Sequence, residues 1–189
     1  MRPANDKRSD EELVAACNLG TAAEATVAFG RLYEKHRAYV LRVAMRFCDD
    51  REIAADALQE VFSYLLRQFP PPGPGLTLTA KLRTYLYPIA KNTALSLLRK
   101  TRRSETPGPD PDELAAPTTG DDGGDDLDRL LATLAPERQE ILTLRFVDGL
   151  PLDEIAAALE IPLGTVKSRL HHAIRALREH PVGKEFFEK

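Results

Sequence analysis

The sequence predicts an all-α chain: two small helical domains joined by a flexible acidic linker, the second containing a helix-turn-helix. Three observations carry that prediction. Ala, Leu, Arg and Glu, all good helix formers, dominate the periodic segments, and alternating strand patterns of useful length are missing. The stretch Ser104–Asp126, SETPGPDPDELAAPTTGDDGGDD, is rich in Pro, Gly and Asp and has little to bury. The stretch Leu150–Leu177, LPLDEIAAALEIPLGTVKSRLHHAIRAL, sets an amphipathic helix, a short turn and a second amphipathic helix in succession. The expected boundaries are 1–103 for the first domain, 104–126 for the linker and 127–189 for the second domain.

Composition agrees. A chain of 189 residues, 43% of them hydrophobic, can build two small cores. Aromatics make up only 6% and Trp is absent, so those cores are expected to be aliphatic bundles. Cys17 and Cys48 lie far apart and lack nearby His, which favours buried thiols in a reducing cytoplasm over a disulfide or metal site. No leader-like segment and no apolar run of membrane-spanning length is evident, so a cytoplasmic chain without membrane insertion is expected. The net charge of −3 conceals an asymmetry: 17 basic against 11 acidic residues over 1–103, nine acids and no base over 104–128, and nine of each over 129–189. A basic half followed by an acidic tether keeps nucleic-acid binding open, where the total alone would argue against it.

Four helices are expected before the linker, roughly 10–18, 22–48, 50–68 and 79–103. Phe29, Leu32, Tyr33, His36, Val40, Val43, Ala44 and Phe47 form an apolar stripe on the second; Ile53, Ala57, Val61, Tyr64 and Leu65 line the third. The segment Phe69–Thr79, with its prolines and glycines, cannot be helical and is expected to be a flexible loop. Pro88 should kink or split the fourth helix near Tyr87. Arg99, Lys100, Arg102 and Arg103 close that helix, where cations suit its negative end and also offer phosphate contacts. After the linker come Leu127–Leu134 and a helix Pro136–Asp148, opened by Pro136-Glu137 and closed by Asp148-Gly149.

In the helix-turn-helix, Asp153 and Glu154 occupy a first turn where acids favour the helix dipole, and Ile155, Ala156 and Leu159 give an inward stripe. Glu160–Leu163 is the turn. Glu160 stands where a left-handed backbone is often needed, at a cost of about 1 kcal/mol for a non-glycine residue. Val166, Leu170, Ala173, Ile174 and Leu177 form one face of the second helix. The intervening Thr165, Lys167, Ser168, Arg169, His171, His172, Arg175 and Arg178 are donors and cations with no acid among them. Such a helix can pack by one side and lie in a DNA major groove by the other. An ordinary core hairpin would not explain an acid-free outer face.

Together these residues resemble an extracytoplasmic-function sigma factor, the two-domain promoter-recognition subunit of bacterial RNA polymerase. LAPERQEILTLRFVDGLPLDEIAAALEIPLGTVKSRLHHAIRALRE is similar to the family's C-terminal domain, and PLGTVKSRL is its most specific phrase. Asp56-Ala-Leu-Gln59-Glu60-Val-Phe62 is similar to the segment that docks on the polymerase clamp, and Tyr85-Leu86-Tyr87-Pro88-Ile89-Ala90-Lys91-Asn92 to the segment that captures the melted strand. The chain departs from the family at Tyr85, usually Trp, at Pro88 and Ser96, usually Arg and Asp, and in a longer, proline-richer Phe69–Thr79 loop; Gly20–Phe29 is also a few residues long.

The resemblance implies the following. Asp56, Gln59 and Glu60, which by themselves read equally as a solvated helix face, dock on a basic coiled coil of the polymerase, with Phe62 partly supporting the fold. Lys167, Ser168, His171 and His172 contact or approach bases of the upstream element, Thr165 and Arg175 contact phosphates, and Arg169 does either. Tyr85 and Tyr87 offer stacking faces, Asn92 an amide for a base edge, and Lys91, Arg99, Lys100, Arg102 and Arg103 a basic track for the melted downstream strand. The alternative is that Tyr85 and Tyr87 are core aromatics, and for Tyr85 the two readings are equally balanced. The implied partners are bacterial core RNA polymerase, promoter DNA as duplex and single strand, and an anti-sigma factor; the free chain is expected to be a monomer without cofactor, metal or catalytic group. The acidic linker is either a plain spacer or an imitation of nucleic-acid phosphate in a partner's basic channel. A stand-alone DNA-binding regulator is the rival reading, but it would not need a docking face beside a strand-capture segment. An enzyme is disfavoured: paired metal-spaced His, a phosphate loop and a nucleophile elbow are all missing.

Overall fold

The computed structural model describes residues 8–70, 73–105, 131 and 133–180; the acidic linker from residue 106 onward and most of the expected 127–134 helix lie outside them. The chain divides into two units, Met1–Asp110 and Pro111–Lys189. The described residues are helical with no strand, and none of their helices is long and apolar enough to cross a membrane.

Four helices build the first unit: α1 (Asp10–Leu19), α2 (Ala22–Met45), α3 (Arg51–Gln68) and α4 (Leu82–Glu105). Local chemistry starts three of them. Ser9 and Glu12 form a reciprocal capping box on α1, and Thr21 and Glu24 form another on α2. Asp50 caps α3 by accepting from the amides of Glu52 and Ile53 at 2.7 and 3.4 Å. α2 ends at Met45, three residues earlier than its stripe predicted, and Phe47 and Cys48 are buried in the turn that follows.

α2 packs on α1, α3 and α4, and α3 on α4. Leu32, Val40, Val43 and Ala44 of α2 meet Ala57, Val61 and Leu65 of α3 and Leu82, Leu86, Ala90 and Ala94 of α4 in a fully buried core. Phe62 is buried too, its ring edge-on to Phe29 at 6.3 Å and to Tyr33 at 4.8 Å. Cys17 and Cys48 are free and buried; burial pushes the Cys17 thiol up to about 11 and raises Cys48 as well, so both stay protonated near neutrality. Of the two outcomes expected at Pro88, a kink or a split, the split does not occur: α4 runs unbroken from Leu82 to Glu105. The ring removes a single N–H, and burial of Leu86, Tyr87 and Ala90 on either side holds the helix together.

The Phe69–Thr79 loop is not loose along its described part. The Asn18 amide at the end of α1 donates to the Leu76 carbonyl at 2.7 Å and accepts from the Leu76 amide at 2.9 Å. At the other end of α1, the Asp10 carboxylate meets Lys35 Nζ at 2.7 Å and the buried His36 Nε2 at 3.0 Å.

The second unit contains α5 (Pro136–Leu142), which widens into a π-turn (Thr143–Val147), then α6 (Leu152–Leu159) and α7 (Leu163–Glu179). Helical structure runs from Pro136 to a cap at Asp148 as expected, but its last turn is π in place of α. The Asp148 amide reaches back five residues to Thr143, and the shift in register keeps Leu144 and Leu150 buried while Phe146 and Val147 stand 65% and 64% exposed. Gly149 closes the turn at φ +70°. Leu134, Leu142, Ala173 and Leu177 form a core cluster flanked by Leu131, Leu170 and Ile174. On α6, Ile155 and Ala158 are the buried residues, with Ala156 and Leu159 half-buried. Glu160 does adopt the left-handed conformation, φ 53° and ψ 39°.

Two predictions follow from this packing. The contacts from His36 and Lys35 outweigh the burial that would raise Asp10, and hold its carboxyl at about 2 instead of its usual 3.8. A carboxylate lowered on folding adds stability above its unfolded value and loses it as the pH falls through the folded one. Asp10→Asn should therefore lower the urea midpoint at neutral pH, and its deficit should vanish between pH 4 and pH 2; a constant deficit across that range would contradict the ion pair. Glu160→Gly should raise stability by about 0.5–1 kcal/mol, because glycine carries no Cβ penalty in the left-handed region. A lower thermal midpoint for that variant would contradict the strain.

Candidate functional site

On α7 the predicted faces separate as expected. Val166, Ala173 and Leu177 are buried, while Lys167, Ser168, His171, His172 and Arg175 are exposed and Thr165 and Arg169 half-buried. Helical periodicity explains this: positions 166, 170, 173 and 177 pack inward, and positions 167, 168, 171, 172 and 175 fall on the other side. Two details differ. His171 and His172, read as independent contacts, meet each other: their rings are edge-on with centroids 5.8 Å apart. Arg175 is engaged by Glu179, one turn on, through Nε to Oε1 at 2.7 Å. That pair raises the Arg175 guanidinium above its ordinary value, but both side chains are about two-thirds exposed, so a phosphate can compete for the arginine.

The first unit carries an open groove of about 860 Å³ between α3 and α4. Asp56, Gln59 and Glu60 form its α3 wall together with Ser63, Tyr64 and Arg67; Asn92, Thr93 and Lys100 stand on its α4 wall. The residues assigned to docking and two of those assigned to strand capture thus face one another across a single groove. Farther along α4, Ser96, Arg99, Lys100, Arg103 and Ser104 line a second cleft of about 410 Å³, and Arg102 is exposed beside it. The basic end of α4 is therefore continuous with the groove through Lys100.

Two sequence assignments change. Tyr87 is 1% exposed, with its ring among the core side chains, and presents no stacking face. Lys91 lies toward the end of α2, its Nζ 5.3 Å from the centre of the Phe47 ring, and is absent from the groove lining. In their place the structure brings forward Tyr64, which is 40% exposed although its spacing read as core. Tyr64 meets the half-buried Tyr85 across the α3–α4 contact. Burial first, then the charge and hydrogen bond of Tyr64, push the Tyr85 phenol up to about 12. The missed residues Ser63, Tyr64 and Arg67 sit one or two turns beyond Asp56, Gln59 and Glu60. That i+4 and i+7 spacing is the signal that could have found them.

Residues 32–104 match the Sigma-70 region 2 family, and residues 124–177 match Sigma-70 region 4. The chain is 34% identical over 166 residues to the ECF RNA polymerase sigma factor SigL of Mycobacterium tuberculosis, covering 84% of this chain and 92% of the relative. It is 30% identical over an alignment of 191 residues to the RNA polymerase sigma-H factor of Pseudomonas aeruginosa, covering 90% and 93% respectively. In fold it is similar to the sigma factor RpoE of Bartonella quintana, solved with the anti-sigma factor NepR, at a TM-score of 0.56 and 21% identity over 80% of this chain and 94% of that one. It is similar also to CnrH, solved with the cytosolic domain of CnrY, at a TM-score of 0.57 and 23% identity over 89% and 94%.

The tyrosine pair gives a direct test of the groove's geometry. Tyr64→Phe removes both the hydroxyl and its charge, so Tyr85 should titrate lower, toward 10, while burial still holds it above the free value. Alkaline titration followed by tyrosinate absorbance, with Tyr85→Phe to identify the high transition, would read the change. An unaltered transition would mean that the two hydroxyls do not meet.

Proposed function

The chain belongs to the ECF sigma factors, which act with RNA polymerase in transcription initiation, and on that premise we propose how its own residues divide the work. The α3 wall of the groove, Asp56, Gln59 and Glu60, docks on a basic surface of core polymerase. Asn92 and Tyr85, with Tyr64 in place of the buried Tyr87, receive a base of the melted downstream strand, and Lys100, Arg99, Arg102 and Arg103 carry its phosphates. The outer face of α7, from Thr165 to Arg175, lies in the major groove of the upstream element. The role is positional, with no bond made or broken by the chain. Action in the cytoplasm on core polymerase, restraint by an anti-sigma factor and a monomeric free state belong to the same proposal.

The observation that carries this reading is the sharing of one groove by Asp56, Gln59 and Glu60 on α3 with Asn92 and Lys100 on α4. Two exposed acids on one wall repel a strand's phosphates at close range, so strand binding is weak until a basic partner covers them. Docking would neutralise that wall and leave the α4 side, with Asn92 and the basic end, as the favoured track. A base leaving the stack costs a few kcal/mol, which stacking on an aromatic ring and edge contacts with an amide can return.

Reconstituted transcription with bacterial core polymerase on a promoter library tests the proposal. Promoter-dependent initiation is expected, and DNA binding without it would favour a stand-alone regulator. Asp56→Lys with Glu60→Lys should abolish core binding while circular dichroism stays unchanged. Asn92→Ala should keep core binding and upstream recognition yet slow opening by roughly tenfold, the loss of about one good base contact. Full opening by Asn92→Ala would remove Asn92 from the pocket.

A further inference from the structure

The loop between α3 and α4 is built, not merely connected. Its first turn folds back on the end of α3: the Gly73 amide donates to the Phe69 carbonyl and the Gly75 amide to the Gln68 carbonyl, each at 2.9 Å. Gly73 allows that approach, since a Cβ there would stand 2.3 Å from the Arg67 carbonyl oxygen, closer than any packing permits. Gly75 has φ +94°, and a Cβ on it would press on Asn18 Oδ1 at 3.3 Å. The next residue, Leu76, is buried and held by the Asn18 side chain at both its backbone N–H and its C=O. One primary amide thus pairs with both backbone groups of a single residue as a neighbouring strand would, across 58 residues of sequence.

The position of this loop gives the pairing a consequence. It leaves α3 just after Tyr64 and Arg67, two residues of the groove, and enters α4 one turn before Tyr85. Its α3 end is therefore attached beside Tyr64, which lines the groove, its α4 end beside Tyr85, which pairs with Tyr64, and its middle is attached to α1. Displacing Leu76 requires breaking two hydrogen bonds and exposing an apolar side chain at the same time.

We propose that Asn18 is a positioning residue, which holds the Gly73–Thr79 segment beside the Tyr64–Tyr85 pair at the Tyr64 end of the groove and so sets how selectively the groove accepts a base. This rests on the strand-capture reading given above. α1 carries no residue of the groove itself, so its influence passes through Leu76.

The experiment compares wild type, Asn18→Ala, Asn18→Asp and Val14→Ala, each as full-length chain and as holoenzyme with core polymerase. Hydrogen exchange at the Leu76 amide reads the clamp, and 2-aminopurine fluorescence on promoters varied at the melted positions reads base preference. Asn18→Ala should speed Leu76 exchange by about tenfold or more, the equivalent of two ordinary hydrogen bonds, and should lower base preference several-fold while core binding is unchanged. Asn18→Asp keeps an acceptor for the Leu76 amide and should fall between the two. Val14→Ala trims the α1 core and leaves the amide in place; it should lower the thermal midpoint with base preference retained. Unchanged preference in Asn18→Ala, against a clear preference in wild type, would overturn the proposal alone. Equal loss in Val14→Ala and Asn18→Ala would overturn it in favour of simple destabilisation. Absence of any preference in wild type would instead overturn the strand-capture reading on which it rests.

Discussion

The rotation of α4 about its own axis governs the first unit. Leu82, Leu86, Ala90 and Ala94 recur every four residues and are fully buried, and the two alanines let α4 lie close against α2 and α3. With that stripe turned inward, Ile89, Asn92, Thr93, Leu97 and Lys100 have no choice but to border the α3–α4 groove. α3 obeys the same rule from the other side. Ala57, Val61 and Leu65 are its inward stripe, so Asp56, Gln59, Glu60, Ser63 and Arg67 form the opposing wall. The groove is thus a by-product of two apolar stripes that do not meet along their full width.

Charge is arranged along this groove by helix position. The arginines and lysine at the end of α4 complement its negative terminus, whereas the acids of α3 lie in mid-helix, where the dipole has little hold on them. The α3 acids are exposed and therefore screened by salt and open to a partner. In the second unit the division is sharper still, because the packed side of α7 is wholly apolar and its outer side carries the cations and histidines. The π-turn before it follows the same logic. A widened turn lets Leu144 and Leu150 both reach the core, at the expense of exposing Phe146 and Val147.

α1 differs from the other helices of its unit in what ties it down. Beyond Leu13, Val14 and Cys17 it depends on two polar attachments, Asp10 to Lys35 and His36 at one end and Asn18 to Leu76 at the other. Hydrogen bonds and ion pairs of this kind contribute little net stability compared with apolar burial, but they are strict about geometry. The helix is thus packed on α2 by its apolar side and tied to the α3–α4 loop by Asn18.

Much of this was legible in the sequence because it depends on local period and local chemistry. The α7 faces follow from a repeat of 3.6 residues, the opening of α5 follows from Pro136-Glu137, and the left-handed turn at Glu160 follows from the shape of the motif. Asp56, Gln59 and Glu60 were equally visible as polar residues on a core-forming helix. What the sequence could not decide is which of several aromatics on an apolar stripe turns inward. Tyr64 read as core by spacing and Tyr87 as a stacking face by resemblance, yet Tyr87 is enclosed and Tyr64 borders the groove, since enclosure depends on which neighbouring helix covers each position. The same holds for Lys91 on Phe47, for the unbroken helix through Pro88, and for Asn18, whose partner lies 58 residues away. Periodicity along one helix specifies a face; only the packing of helices against each other specifies what that face meets.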